Sequence, residues 1–314
     1  MFHNSQFVSA IATTNHGSAV IMRRERLISR IIRRSDVPRV DTIPAKSVDI
    51  IGDIAILKIL DELQEAKFRL AEALLKEVPN IRVVYRQTSP VAGDFRLRGI
   101  EWLGGERRST TIYTEHGCRI EVDLEKDYFS QRLAHERSII AEQVKASEMS
   151  RSAGEVIVNM FAGVGSFSLR ITRETRYSKV FSVDMNPDAF QRMFRNVLAN
   201  KMLGRVICVY GDAALVIDNV LKGKADRVLM PLPEKSLEYL RSALTALKRE
   251  IGIVNYESFT YAEKGINPID VSRTRLHSSL ENLSCKYSIE SERIIRSVGP
   301  GWYQVAHDIQ VTFV

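Results

Sequence analysis

The pattern of apolar and polar positions changes near Gly154. Beyond that point, short apolar runs alternate with segments of helical periodicity, an order that predicts a doubly wound, mostly parallel sheet covered by helices. The predicted helices include 188–202 and 234–248. The predicted strands are 156–161, 179–185, 205–211, 227–230 and 251–256, with two further candidates at 288–298 and 304–314.

Upstream of Gly154, strand-like runs and one helical segment follow one another in mixed order, which predicts a small α+β domain. The strand-like runs lie within 48–59, 81–85, 93–103, 110–113 and 118–122, and the helical segment covers 61–77. We therefore divide the chain into a short N-terminal segment (1–47), a small α+β domain that binds RNA or substrate (48–125), and the α/β domain (126–314).

The N-terminal segment is basic, and its densest run is RRERLISRIIRR at 23–34. Apolar residues at helical spacing within this run predict a basic amphipathic helix, although a simple solvated face has the same pattern. The whole chain carries a formal net charge of +7. This balance favours a polyanionic partner such as a nucleic acid.

Three cysteines, Cys118, Cys208 and Cys285, are widely spaced, which favours neither a disulfide framework nor a zinc site. No apolar run approaches the ~20 residues that a membrane-spanning helix needs. We expect a cytoplasmic monomer that binds no metal and contacts no membrane.

Small and acidic residues follow three consecutive predicted strands. Gly163 and Gly165 come after the first strand, where glycine permits a tight turn and the close approach of a ligand. Asp184 ends the second strand, 19 positions after Gly165, near the spacing expected of a carboxylate that binds ribose hydroxyls. Asp212 follows the third strand. Each acid alone could be a helix N-cap, but together they mark the edge where such folds bind ligands.

These features resemble the class I S-adenosylmethionine-dependent methyltransferases, with a Rossmann-like domain. The resemblance narrows to the archaeal–eukaryotic tRNA (guanine-37-N1)-methyltransferases, because further motifs of that family occur here in one order over residues 48–314. The motifs are GDIAILKI, YFSQRLAHER, NMFAGVG, DMNPDA, GDA, MPLPEKS and RSVGPGWYQVAHDI.

The resemblance implies S-adenosyl-L-methionine as the cofactor and the anticodon stem-loop of tRNA as the partner. The cofactor-binding positions it implies are Phe161, Ala162, Gly163, Gly165, Asp184, Met185, Asp212 and Ala213. The reaction it implies is methyl transfer to N1 of the guanine at position 37.

Guanine N1 carries a proton near neutral pH, so this reaction needs a base and a donor for the charge that builds on O6. By motif position the resemblance implies that Glu136 is the general base and that Arg96 is the O6 donor. Arg98 would be the O6 donor if the motif is aligned two residues later, and it is otherwise expected to contact the substrate. Tyr128 matches an aromatic residue that positions the guanine, and Arg132 suits a contact with a phosphate near the flipped nucleotide.

The chain departs from the family pattern at several positions. Asn159 stands where the family has aspartate, and Gln131 where it has proline. The family sequence "NLP" is replaced by Pro231-Leu232-Pro233, so Pro233 keeps the turn next to the substrate, while Pro231 takes a catalytic position without any polar side-chain atom.

Two other functions remain open. The first is a wyosine-pathway transferase acting on the same tRNA position, either by aminocarboxypropyl transfer or by methylating the tricyclic intermediate. Asp184 and the Pro231-Leu232-Pro233 sequence favour methyl transfer. The second is a catalytically weakened tRNA-binding homologue, against which the intact Glu136, Asp184 and Asp212 argue.

Overall fold

The computed structural model describes residues 45–59, 65–281, 283 and 285–313, so the predicted basic helix at 23–34 lies outside the described part. Contacts between Cα atoms divide the chain into two units. The smaller ends at Pro90 and also includes Gly99–Arg108; the larger consists of Val91–Arg98 and Ser109–Val314. The domain boundaries given above stay a prediction.

The smaller unit has a four-stranded sheet and one helix among its described residues. Its elements are β1 (Ala45–Ile51), β2 (Ile54–Ile59), α1 (Lys67–Glu77), β3 (Val83–Gln87) and β4 (Ile100–Gly105). The strands lie in that order, and only the pair β2–β3 is parallel. Leu70 and Leu74, one helical turn apart on α1, pack against Leu57 and Val84 of the sheet.

The larger unit begins with a hairpin, β5 (Thr110–Glu115) and β6 (Cys118–Asp123). The remaining strands and α-helices are α2 (Ala134–Arg151), β7 (Val156–Asn159), α3 (Ser166–Glu174), β8 (Lys179–Asp184), α4 (Pro187–Ala199), β9 (Val206–Tyr210), α5 (Ala213–Val216), β10 (Arg227–Met230), α6 (Ser236–Ala246), β11 (Ile251–Tyr261), α7 (Pro268–Leu280), β12 (Lys286–Gly299) and β13 (Trp302–Thr312).

Seven strands of the described residues form one sheet in the order β12-β13-β11-β10-β7-β8-β9. The five strands from β11 to β9 are parallel, and β13 runs antiparallel to both of its neighbours. The polypeptide therefore changes direction across the sheet between β7 and β10, which is the topological switch point of a doubly wound fold.

Both faces of this sheet are covered. Ile140 of α2 and Ile171 of α3 pack against Ile157 on one face. Leu240 of α6 and Leu276 of α7 belong to the larger apolar core on the other face. A strand buried on both faces needs an apolar run, and this is why the sequence pattern locates these strands well.

The structure confirms the predicted fold class, a doubly wound α/β unit preceded by a small α+β unit. Two strands differ clearly from the prediction. The run 93–103 forms a turn followed by β4, which begins only at Ile100, and β11 extends to Tyr261, five residues beyond its predicted end. Every residue of β11 pairs with β13, so the antiparallel pairing with a strand far along the chain sets this length. No helix of the described residues is long and apolar enough to cross a membrane.

Candidate active site

A cleft of about 680 Å³ opens at the carboxyl ends of β7, β8, β9 and β10. This is the edge of the sheet at which doubly wound folds bind their ligands. The cleft brings together most of the residues predicted from sequence, namely Arg96, Tyr128, Phe161, Gly163, Asp184, Met185, Asp212, Ala213 and Pro231. Ala162 lines an adjoining cleft that Phe161 and Pro231 share.

The loop after β7 turns at two glycines. Gly163 has a φ of 55° and Gly165, directly before α3, has a φ of 86°; this left-handed region strains any residue that carries a Cβ. A Cβ on Gly165 would also lie 3.0 Å from Cγ of Met193, whereas a Cβ on Gly163 would meet only the Tyr128 carbonyl, at 3.7 Å. Gly163 thus leaves bare backbone beside the cleft, which a ligand can approach closely.

The carboxylate of Asp184 ties this loop to the end of β8. Its Oδ2 accepts the backbone N–H of Gly163 at 2.6 Å, and its Oδ1 accepts that of Asn186 at 2.9 Å. Burial raises the pKa of Asp184, and the two backbone hydrogen bonds oppose that rise. Asp184 is therefore held in one orientation at the position from which a carboxylate binds ribose hydroxyls.

Asn186 fixes the chain immediately after β8. Its Oδ1 accepts the N–H of Asp188 at 3.0 Å and so caps α4, which begins at Pro187. Its Nδ2 donates to the carbonyl of Lys126 at 2.8 Å. The intervening Met185 is 42% exposed and lines the cleft, so the DMNP sequence encodes both a helix start and an apolar cleft wall.

Asp212 acts as an N-cap and as a cleft residue at once. Its Oδ1 accepts the N–H groups of Ala214 and Leu215, at 2.9 and 3.1 Å. Its Oδ2 accepts the hydroxyl of Tyr239 at 2.5 Å, and burial together with this carboxylate raises the pKa of Tyr239. The Tyr239 ring packs edge-on against Phe161, with ring centres 5.1 Å apart.

Tyr239 is a cleft residue that the sequence did not indicate. It lies on α6, 27 positions after Asp212, in a segment whose pattern reads only as an amphipathic helix. Its contacts with Asp212 and Phe161 close one wall of the cleft.

Asn159, at the end of β7, is fully buried beneath the glycine loop. Its Nδ2 donates to Oγ of Ser168 at 3.2 Å, and Ser168 in turn accepts the hydroxyl of Ser182 at 2.7 Å. Its Oδ1 has no hydrogen-bond partner among the described residues. A buried acceptor without a partner costs free energy, so this position carries an energetic cost beneath the glycine loop.

β10 ends at Met230, and the chain leaves the sheet through Pro231. Since proline has no N–H, the ladder cannot continue at this position. Pro231 lines the cleft, whereas Pro233 is buried at the turn that leads to α6. The turn is closed by Ser236, whose hydroxyl donates to the carbonyl of Leu232 at 2.8 Å.

Arg96 lies in a turn, not in a strand, and its φ of 54° is in the left-handed region. The guanidinium carbon lies 4.0 Å from the centre of the Tyr128 ring, and Nη2 lies 3.0 Å from the carboxylate of Glu234. Its Nε is buried without a hydrogen-bond partner among the described residues. A neighbouring ion pair, Lys235 with Asp94 at 2.7 Å, fixes the same turn. The cleft thus contains a positioned cation, and its Nε–H group has no acceptor among the described residues.

The other residues predicted to bind substrate occupy different places. Arg98 donates from Nη2 to the carbonyl of Phe129 at 3.3 Å, which favours Arg96 over Arg98 as the cation of the cleft. Arg132 is exposed on a short 3₁₀ helix, Gln131–Leu133. The hydroxyl of Tyr128 accepts from Nη2 of Arg296 at 3.3 Å, so β12 contributes a second cation beside the cleft.

Glu136 is 3% exposed in the first turn of α2 and lines neither cleft. Arg293 of β12 binds both of its carboxylate oxygens, with Nε 2.8 Å from Oε2. Nη1 of Arg293 also lies 2.6 Å from the carboxylate of Asp308 on β13. Arg293 and Asp308 gave no local signal in the sequence, because both lie more than 150 positions from Glu136.

A second carboxyl group lies close to Glu136. Glu257 of β11 is 4% exposed, and its Oε2 accepts from Nε2 of Gln304 at 2.6 Å. Burial, reinforced by the charge of Glu136, raises the pKa of Glu257 to about 8. Oε1 of Gln304 accepts from Nε of Arg296 at 2.7 Å, so hydrogen bonds run from Tyr128 through Arg296 and Gln304 to Glu257.

The cleft suits a nucleoside-containing cofactor. Carboxylates stand at two consecutive strand ends, and bare backbone adjoins them at Gly163. Asp184 and Asp212 therefore offer acceptors to the polar groups of such a ligand. The described residues contain no group of three or more histidine, cysteine, aspartate or glutamate side chains that could hold a metal ion.

Comparisons with known proteins agree with this geometry. A model of the TRM5/TYW2 methyltransferase domain matches residues 111–288, and a model of the TYW2 N-terminal domain matches residues 35–109. The chain is 32% identical over 267 residues to the tRNA (guanine(37)-N(1))-methyltransferase Trm5b of Pyrococcus abyssi, which covers 85% of this chain and 75% of that protein. It is 33% identical over 266 residues to the tRNA 4-demethylwyosine(37)-methyltransferase Taw21 of Saccharolobus solfataricus, which covers 84% of this chain and 94% of the relative.

Solved structures are similar over most of the chain. The complex of aTrm5 with tRNALeu is 31% identical with a TM-score of 0.72, and the match covers 85% of this chain and 72% of that one. Trm5 of Methanocaldococcus jannaschii in complex with adenosine is 28% identical with a TM-score of 0.70, and the match covers 91% of this chain and 77% of that one.

Proposed function

The chain belongs to the TRM5/TYW2 methyltransferase family, whose cofactor is S-adenosylmethionine, and we propose that it methylates N1 of guanine at position 37 of tRNA. The relatives named above act on position 37 of tRNA, by the names they bear. The net charge of +7 suits a tRNA partner.

The observation that carries this proposal is the unpartnered Nε of Arg96 in the cleft. When N1 of guanine loses its proton, negative charge moves to O6, and a positioned donor in a site of low water content stabilises that charge. Tyr128 and Glu234 hold the guanidinium in place before the substrate arrives, so little reorganisation is needed.

Glu136 is the base in this proposal. Arg293 now occupies both carboxylate oxygens, so one of these bonds must open before an oxygen of Glu136 can take the N1 proton. The cofactor supplies the electrophilic methyl group when bound. The residues of the chain position the ribose through Asp184, hold the guanine beside Arg96, and accept the proton at Glu136.

A second candidate is methylation of the tricyclic wyosine intermediate at the same position. Pro231 favours it, because the cleft has no polar side-chain atom at the position where the family carries asparagine, and an apolar floor suits a larger ring system. The match to the 4-demethylwyosine methyltransferase covers 94% of that protein, which adds to this support.

One experiment separates these functions. The enzyme is incubated with S-adenosylmethionine and either a tRNA transcript with guanine at position 37 or a tRNA that carries 4-demethylwyosine there, and the nucleosides are analysed by mass spectrometry. We expect 1-methylguanosine from the transcript. Methylation of the second tRNA alone would select the wyosine candidate, and a mass increase corresponding to an aminocarboxypropyl group would overturn both.

Asp184→Ala is the matched negative control, since it removes the carboxylate that orients the cofactor. Binding of S-adenosylmethionine by calorimetry completes the test. A wild-type chain that binds tRNA but shows no affinity for the cofactor would identify a tRNA-binding homologue without activity.

A further inference from the structure

Two large aromatic side chains meet in the open at the carboxyl end of β11. Tyr261, the last residue of β11, pairs across the ladder with Trp302, the first residue of β13. Their ring centres lie 5.6 Å apart at an interplanar angle of 57°. Tyr261 is nevertheless 51% exposed and Trp302 is 46% exposed. Leaving this much aromatic surface in water is unfavourable, and such surface marks interaction sites.

The backbone holds this pair in place. Gly301, directly before Trp302, has a φ of 70°, and a Cβ at this position would lie 2.6 Å from Cε2 of Tyr261. The Tyr261 ring therefore rests directly on glycine backbone. The N–H of Ala262 donates to the carbonyl of Gly301 at 2.9 Å and closes the turn. The Tyr261 ring thus packs on backbone, and its contact with the Trp302 ring joins the two rings into one platform.

The platform lies at the outer end of a row of aromatic and cationic side chains that begins in the cleft. Side chains alternate along a strand, so Phe259 and Tyr261 lie on one face of β11, roughly 7 Å apart. The guanidinium of Arg96 lies 5.9 Å from the centre of the Phe259 ring and 4.0 Å from that of Tyr128. From the cleft outward, the order is thus Tyr128, Arg96, Phe259 and then the platform of Tyr261 and Trp302.

Charges near the platform include both signs, with more cations. Lys264 and Arg275 are exposed, and Arg275 donates from Nη1 to the carbonyl of Phe259 at 3.3 Å. Glu263 is the acidic neighbour of Lys264 and is also exposed. Aromatic rings interleaved with lysine and arginine are the surface that binds single-stranded nucleic acid, because every base can stack and every nucleotide carries a phosphate.

We propose that Tyr261 and Trp302 form a stacking site for an unpaired nucleobase of the RNA substrate, next to the nucleotide that enters the cleft. This inference rests on the proposed function, since it takes a tRNA anticodon loop as the ligand. A stacked neighbour would hold the loop open after the target nucleotide has flipped out, when stacking within the loop is lost.

The chain has two tryptophans, Trp102 and Trp302, so a Trp102→Phe variant leaves Trp302 as the sole tryptophan reporter. An anticodon stem-loop RNA of 17 nucleotides is titrated into this variant in the presence of S-adenosylhomocysteine. We expect the fluorescence of Trp302 to be quenched with the same midpoint as binding measured independently by filter retention. Binding without any change in the Trp302 emission would overturn the proposal.

Variants then measure the contribution of each ring. Loss of a ring on which a base stacks weakens binding of single-stranded nucleic acid. We therefore expect Trp302→Ala to weaken binding of the stem-loop about tenfold, and Trp302→Phe to restore most of it. Tyr177→Ala is the matched control: Tyr177 is 56% exposed and precedes β8, whose amino end lies at the opposite edge of the sheet from the cleft. Equal effects of Trp302→Ala and Tyr177→Ala would contradict a specific stacking site.

Calorimetry with S-adenosylmethionine shows whether each variant is folded and retains its cleft. Failure of the inference and failure of the proposed function look different. If the RNA is methylated and Trp302→Ala binds it normally, the stacking site is refuted and the function stands. If Trp302 is quenched by a stem-loop that is not methylated, the stacking site stands and the function is refuted.

Discussion

Nε of Arg293 donates to Oε2 of Glu136 at 2.8 Å, and the two residues lie 157 positions apart on β12 and α2. The same guanidinium contacts Asp308, so one cation serves two buried carboxylates. Removing one partner of a buried ion pair leaves an uncompensated charge, and that loss usually exceeds what the pair contributed.

We therefore expect Arg293→Met to lower the free energy of unfolding by about 3–5 kcal/mol. The double variant Glu136→Gln/Arg293→Met should be clearly more stable than Arg293→Met alone, because the amide needs no counter-ion. Urea denaturation of the wild type, both single variants and the double variant completes the cycle. Strict additivity of the two single effects would show that the pair is not coupled.

Glu136→Gln tests the role of this carboxylate in the proposed reaction. A base acts in the transition state, so the variant should slow methyl transfer by about 10²-fold or more while tRNA affinity changes little. Single-turnover rates and filter binding give the two quantities. Glu142→Gln, on an exposed position of α2, is the control and should change neither. A parallel loss of rate and affinity for Glu136→Gln would indicate a structural role.

The sequence predicted the cofactor side of the site better than the substrate side, for a physical reason. Glycines and acids at the ends of parallel strands are brought to one edge by the topology alone, and Gly163, Asp184 and Asp212 all line the cleft. Tyr239, Arg293 and Glu257 could not be located in this way. Their roles depend on contacts between elements distant in sequence, and their own segments show only ordinary helical or strand periodicity.

The same distinction explains Arg96 and Arg98. Read as a strand, the sequence placed both side chains on one face. The left-handed turn at Arg96 separates them instead, so that Arg96 enters the cleft and Arg98 binds the carbonyl of Phe129. Non-glycine residues rarely adopt this conformation, and no local sequence pattern predicts it here.

Pro231→Asn tests how the cleft floor holds the base. The variant restores a side-chain amide at the position where the family has asparagine, and it restores an N–H at a site where the ladder has already ended. We expect activity on guanine-37 transcripts to be retained or raised, as measured by initial rates of methyl incorporation. A severe loss of activity with unchanged cofactor affinity would show that the proline belongs to a different base-binding geometry.

Glu257 should make the stability of the protein depend on pH. Its pKa in the folded state, about 8, lies above the ordinary carboxyl value of 4.5, because the group is buried and faces Glu136, with Arg293 and Arg296 opposing the shift. The stabilisation from the buried neutral form is complete below pH 4.5. It is lost as pH rises toward 8, with a slope that approaches about 1.4 kcal/mol per pH unit.

Glu257→Gln keeps an acceptor for Gln304 and cannot ionise, so its free energy of unfolding should be flatter between pH 5 and 8 than that of the wild type. The comparison cancels the effects of other groups that titrate in this range, including His307. Burial lowers the pKa of His307, so its contribution to the free energy of unfolding falls toward acidic pH. Urea denaturation of both proteins at half-unit pH intervals measures the difference. Parallel curves across this range would mean that Glu257 is ionised in the folded protein, and that Arg293 and Arg296 together compensate two adjacent buried carboxylates.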